Sequence, residues 1–191
     1  MSQYHYHSLS LGPDSIRLLR LMPYENKSTE RAGIQCKLFE YNLQDRGKRT
    51  HLYEALSYTW GGSDKPRSIS INKRNLVVTE NLYTALLHLR DRSLERILWI
   101  DAICIDQENL EEQGQQVQLM AKIYSKAARV LVWLGETAHS SDAALEYICL
   151  AANEESTERS KEEMNEHTIE LLQRPWFQRI WVREQTLNYN D

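Results

Sequence analysis

Cysteine is scarce in this 191-residue sequence, and its three positions, Cys36, Cys104 and Cys149, are odd in number and widely spaced. Neither a disulfide framework nor a zinc-ligand set fits that pattern, and no metal is expected. Cys104 stands between isoleucines, where a buried, inert thiol is expected. Long apolar runs are missing as well. No stretch approaches the roughly 20 apolar residues of a membrane span, and the start, MSQYHYHSLSLGPDS, lacks the basic-then-apolar order of a secretory signal. A cytoplasmic protein without a membrane partner is the expectation. Neither sign of charge dominates: 23 Lys and Arg face 27 Asp and Glu. The cations are dispersed rather than grouped, which argues against a nucleic-acid partner. A phosphate-loop lysine, a dinucleotide glycine fingerprint and internal repeats are also absent.

What is present describes a folded chain. Five Trp and ten Tyr in a 41% apolar composition argue against disorder. Residues 1–14 read as a flexible leader that ends at Gly12-Pro13; His5 and His7 there have no evident ligand partners for a metal. Residues 15–22 (SIRLLRLM) and 34–41 (IQCKLFEY) have strand length and pair as a hairpin or edge ribbon. Residues 53–60 (YEALSYTW) form a third strand that stops at Gly61-Gly62, where the backbone can turn or approach a ligand. Residues 68–79 alternate about a polar centre, as a hairpin does. Leu82, Ala85, Leu86 and Leu89 then recur at helical spacing behind a Thr79 cap, predicting a helix over about 80–91.

Residues 96–105 (RILWIDAICI) are almost continuously apolar and read as a central parallel strand, interrupted by Asp101. Val117, Met120, Ala121 and Tyr124 mark a helix over about 110–126, and residues 129–135 (RVLVWLG) read as the next strand. A short helix is expected over 142–152, with a solvated, charge-dense stretch over 153–167. Strands alternating with helices predict an α/β fold, a parallel sheet flanked by helices with additional N-terminal strands. Ligands of such sheets gather outside the carboxyl ends of the strands. That edge collects the residues after Trp60 and those from Asp101 to Gln107.

Pro175 suits the first turn of a last helix, expected from Trp176 to about Asn188. On a helical wheel starting at Phe177, the apolar stripe centres at roughly 330° and Glu184 falls at about 340°, inside it; Gln185 falls at about 80°, on its flank. Both neighbour Trp181. A carboxylate on such a stripe pairs with a cation such as Arg96 or Arg129, neutralises itself, or lines a cavity. Asp101 and Asp106 either orient a substrate or brace their own turns, and Trp60 is either a stacking plane or core. The residues alone leave these alternatives open.

Four stretches, YEALSYTWGG (53–62), LWIDAICIDQ (98–107), QVQLMAKIYSKAARVLVWLGE (116–136) and RPWFQRIWVREQ (174–185), resemble the fungal heterokaryon incompatibility (HET) domain. The likeness runs from about Ile16 to the last helix, so a single HET domain over 15–191 is expected. The chain stops just after that helix at NYND, and is expected to be a piece of a longer protein.

The resemblance implies a role in non-self recognition between fungal strains, in which incompatible fusion leads to programmed cell death. The family is similar to TIR domains, which implies a TIR-like, flavodoxin-like sheet. Some TIR domains cleave NAD and others only assemble signalling complexes. An NAD glycohydrolase and a non-catalytic signalling module therefore both stay open. The first takes NAD or a related nucleotide as substrate; the second has self-association or a partner HET or signalling domain. The glutamate of TIR hydrolases stands four residues after tryptophan, which here is Gln185. The family pattern of glutamine then glutamate is inverted to Glu184 then Gln185, leaving Glu184 as the available carboxylate. Tyr58, Trp60, Gly61, Asp101, Cys104 and Trp181 are the implied nucleotide-binding positions. Gln113 stands where the family often has arginine.

Overall fold

The computed structural model of the chain describes residues 2–24, 33–44, 53–136 and 168–178. Two compact units divide it, Met1–Trp133 and Leu134–Asp191. In the first unit, seven strands form one sheet: β1 (Ser15–Leu21), β2 (Gln35–Asn42), β3 (Glu54–Tyr58), β4 (Arg67–Ile71), β5 (Arg74–Val78), β6 (Arg96–Trp99) and β7 (Arg129–Trp133). Their order across the sheet is β5-β4-β2-β1-β6-β3-β7.

The sheet is mixed, which corrects the expectation of a parallel one. β3 runs parallel to β6 and β7, and β2 parallel to β4. β1 lies antiparallel to both β2 and β6, and β4 to β5. β1 and β2 do pair, yet they occupy the middle of the sheet rather than an edge. Ile16, Leu18, Leu19 and Leu21 are correspondingly buried. The β4–β5 turn places Asn72 and Lys73 at φ of 51° and 66°, the left-handed pair that matches the twist of a two-residue hairpin.

Helix α1 (Glu80–Leu89) starts where Thr79 Oγ1 accepts the Leu82 N–H, and buries Leu82, Ala85 and Leu86. Each such leucine contributes roughly 1.5–3 kcal/mol by leaving water. Helix α3 (Leu110–Lys126) is capped by Asn109, whose Oδ1 accepts the Glu112 N–H. In-register residues of neighbouring strands share a face, so Ala55, Trp99 and Val130 form one row, and Tyr58 and Trp133, three residues on, face the other way. Trp99 packs edge-on against Tyr124 at 5.5 Å, whereas Trp133 donates through Nε1 to Asn81 of α1 at 2.9 Å. Helices α3 and α1 therefore cover opposite faces.

Two expectations change here. The apolar run over 96–105 is a strand only to Trp99; Asp101–Cys104 is a helical turn, α2, because a short apolar run fits a buried helix as well as a buried strand. In α3 the apolar spacing marks the helix and part of its buried face: Met120 and Tyr124 pack against the core, whereas Val117 does not. Glu112, Gln116 and Ile123 point inward, while Val117 is 54% and Leu110 79% exposed.

Tyr4, in the stretch expected to be a flexible leader, is buried, and Tyr6 packs beside it at 5.1 Å. Asn75 of β5 donates to the Ser2 carbonyl at 2.9 Å and accepts from the Tyr4 N–H at 2.8 Å. The segment is thus tied to the sheet edge. In the second unit, residues 168–172 are helical and Pro175–Gln178 forms a 3-10 turn, where an α-helix was expected to begin. Arg174 donates to the Leu134 carbonyl at 2.9 Å. The expected helix over 142–152, the stretch 153–167 and the last helix beyond Gln178 lie outside the described residues. No helix among the described residues is long and apolar enough to cross a membrane.

Candidate functional site

Strands β3 and β6 run parallel, so the loops leaving Tyr58 and Trp99 emerge on one edge of the sheet. Tyr58 is buried at the end of β3. Asn81, in the first turn of α1, then holds the loop: its Nδ2 donates to the Thr59 carbonyl at 2.6 Å while its Oδ1 accepts from Trp133. Gly61 follows at φ +78°, a conformation that side-chain-bearing residues rarely adopt. Trp60, between Thr59 and Gly61 in the chain, is 41% exposed.

On the neighbouring strand, extended Ile100 leads directly into α2. Asp101 is the first residue of that turn, and one carboxylate oxygen accepts the Ala102 N–H at 2.7 Å. The other accepts Trp60 Nε1–H at 3.0 Å, joining the two loops. Gln107 donates to the Asp101 carbonyl at 3.0 Å and accepts from Gln113 at 3.0 Å.

The structure thus brings Trp60, Gly61 and Asp101 to one edge and sets Tyr58 and Cys104 beneath them. Cys104 is fully buried, its Sγ accepting the Ile100 N–H at 3.4 Å, and burial pushes its thiol up to about 12. Such a thiol is neither a nucleophile near neutral pH nor reachable by a ligand. Asp106 braces its own turn, accepting the Glu108 N–H at 3.1 Å. Glu184, Gln185 and Trp181 lie outside the described residues. Arg96 and Arg129, both possible counter-ions for Glu184, each pair with Glu54, Arg96 at 2.6 Å.

Beneath the site runs a buried ionic network not anticipated from the sequence. Glu112 of α3 accepts from both terminal guanidinium nitrogens of Arg17 in β1, and from the Asp106 N–H at 2.8 Å. Arg17 also donates to the Cys104 carbonyl at 3.2 Å and the His7 carbonyl at 2.6 Å. The pair fixes both ends of the loop between α2 and α3. An arginine in an apolar strand and a glutamate at an inward helical position were the available signals, each ambiguous alone.

Beside Asp101 opens a cleft of about 520 Å³, lined from one side by Tyr4 and Tyr6, from another by Leu76 and Val77, and by Lys65, Ala102, Asp106 and Glu108. Trp60 and Asp101 do not line it, although each has a close chain neighbour that does. No periodicity marks these residues, because five separated stretches build the cleft.

The heterokaryon incompatibility protein (HET) family model matches residues 53–184. Heterokaryon incompatibility protein 6, OR allele, of Neurospora crassa is 36% identical over 166 residues, covering 79% of this chain and 23% of that protein. Vegetative incompatibility protein HET-E-1 of Podospora anserina is 29% identical over 85 residues, 43% of this chain and 6% of that protein. The chain therefore spans less than a quarter of the length of either relative. No solved structure matches it. The family match across more than half of the chain and the identity to the Neurospora protein show that this chain belongs to the heterokaryon incompatibility (HET) family.

Proposed function

We propose that the chain is a HET-domain effector of fungal non-self recognition and programmed cell death, acting in the cytoplasm by NAD glycohydrolysis. The observation that carries this reading is the Trp60–Asp101 bond, which joins loops at the carboxyl ends of two parallel strands, where ligands of such sheets collect. The parallel part of the sheet supports it. With β3 counted as its first strand, β6 as its second and β7 as its third, the order is second, first, third, as at the start of a flavodoxin-like and hence TIR-like sheet.

In the reaction, the bond between nicotinamide nitrogen and ribose C1′ breaks. Nicotinamide leaves with the bonding electrons as a neutral molecule, positive charge builds on the sugar, and water adds with loss of a proton to give ADP-ribose. Glu184 is assigned to stabilise that charge; Gln185, at the usual glutamate position, supplies no full charge. Trp181, three residues before Glu184 in the sequence, is assigned to the nucleotide site with it. Trp60 offers an exposed ring plane, Asp101 orients it, and Gly61 permits close backbone approach. Tyr58 and Cys104, buried below, hold the loops rather than touch the nucleotide.

The test is free nicotinamide released from NAD by the purified chain, by Glu184→Ala and by Gln185→Glu. The proposal expects release that Glu184→Ala abolishes. No release from the parent and none from Gln185→Glu would sink it.

A second reading, a non-catalytic module working through self-association or a partner signalling domain, is favoured by a separate observation. Leu110 and Val117 project from α3, and Val130 and Val132 lie 46% and 45% exposed on the sheet face that α3 covers. Sedimentation of the chain against Val117→Lys and Val132→Lys variants distinguishes it: concentration-dependent assembly lost in both supports the module.

A further inference from the structure

The cleft beside Asp101 carries charges that select a particular ligand. Among the described residues, Lys65, Asp106 and Glu108 take part in no ion pair. Two carboxylates against one ammonium leave the lining negative, which disfavours a wholly anionic ligand. The same lining matches a molecule with a flat cationic end and an anionic body. The cation meets the carboxylates of Asp106 and Glu108, while Tyr4 and Tyr6 supply an apolar wall; the Tyr6 ring already carries the Arg17 guanidinium at 5.1 Å. The anionic body turns toward Lys65, which stands in the same loop as Trp60. A volume of about 520 Å³ lies within the range of sites that enclose one ring system and its sugar.

We propose that this cleft holds the nicotinamide riboside end of the dinucleotide, with Asp106 and Glu108 recognising the positive charge of the oxidised ring and Lys65 the pyrophosphate. The assignment rests on the reading of the chain as an NAD-cleaving enzyme and adds to it the orientation of the substrate. It also adds a specificity that shape alone does not give. NADH has nearly the same outline, but its ring is neutral, so the acidic lip distinguishes the two.

Equilibrium binding of NAD, NADH and ADP-ribose to the chain tests this, with chromatography confirming that NAD is intact during the titration. NAD is expected to bind roughly five- to tenfold more tightly than NADH, the preference two partly exposed carboxylates give a nearby cation. Asp106→Asn combined with Glu108→Gln removes the preference, and exposed Glu108→Gln alone lowers it while leaving the Asp106 turn intact. Lys65→Ala weakens all three ligands together, including ADP-ribose, which has no ring to recognise. If ADP-ribose binds but NAD and NADH bind equally, this placement is wrong and the nucleotide reading survives. If none of the three binds at millimolar concentration, the reading beneath it fails as well.

Discussion

Replacing Glu112 with alanine removes the partner of a guanidinium that has nowhere else to go. The side chains of Arg17 and Glu112 are 5% and 9% exposed, so solvent cannot take over the charge. Arg17 keeps the carbonyls of Cys104 and His7 but loses both carboxylate oxygens, and the Asp106 N–H loses its acceptor. Breaking a buried pair from one side costs about 3–5 kcal/mol. For a chain of this size each kcal/mol lowers Tm by about 2–4 °C, giving a fall of roughly 6–20 °C. Urea and thermal denaturation of the parent, Glu112→Ala and the double variant Arg17→Met/Glu112→Leu provide the assay. The double variant should recover much of the loss, because an apolar pair of similar volume carries no desolvated charge. A cost below about 1 kcal/mol for Glu112→Ala, or a double variant worse than the single, would refute the view that this pair anchors the loop between α2 and α3.

Three further perturbations act elsewhere. Asp101→Ala removes the acceptor of the Trp60 indole and of the Ala102 N–H and should cost about 1–2 kcal/mol in urea denaturation. Lys73→Gly relieves a side chain held at φ 66° in the β4–β5 turn and should stabilise the chain by about 0.5–1 kcal/mol; a loss would mean the turn is not built as described. Tyr53 is buried and donates to the Ile123 carbonyl at 2.6 Å, and burial raises its phenol above the ordinary tyrosine value. Its contribution is complete below that value and falls away as pH rises above about 10, where the unfolded chain ionises first. Urea midpoints between pH 8 and 11 should therefore decline less steeply in Tyr53→Phe.

Where local pattern decides the structure, the sequence was readable. Thr79 and the spacing of Leu82, Ala85 and Leu86 mark α1 with its buried face, and the polar centre at Asn72 to Asn75 marks the β4–β5 hairpin. Where tertiary context decides, it was not. Ile100 to Ile105 is apolar apart from Asp101, and so short a run fits a buried strand as well as a helical turn, so the sequence alone does not say that the chain leaves β6 and coils into α2 after Trp99. The N-terminal part of α3 turns polar residues inward because Arg17 and the Ser15 carbonyl wait opposite Glu112 and Gln116, and no helical wheel contains that information. Tyr4 and Tyr6 look like tail residues until the edge of β5 and the Ile103 carbonyl receive them. Of the candidate site, the Trp60 and Asp101 loops were legible because strand ends in parallel sheets gather ligands; the cleft next to them was not.

The most direct measurement of the central claim, that the edge joined by Trp60 and Asp101 receives a nucleotide, is the indole N–H spectrum of 15N-labelled chain titrated with NAD. Five indole signals are expected, and a Trp60→Phe variant assigns one of them. The account predicts that the Trp60 signal shifts saturably with NAD while the buried Trp99 signal stays in place. A Trp60 signal unmoved at millimolar NAD would contradict it.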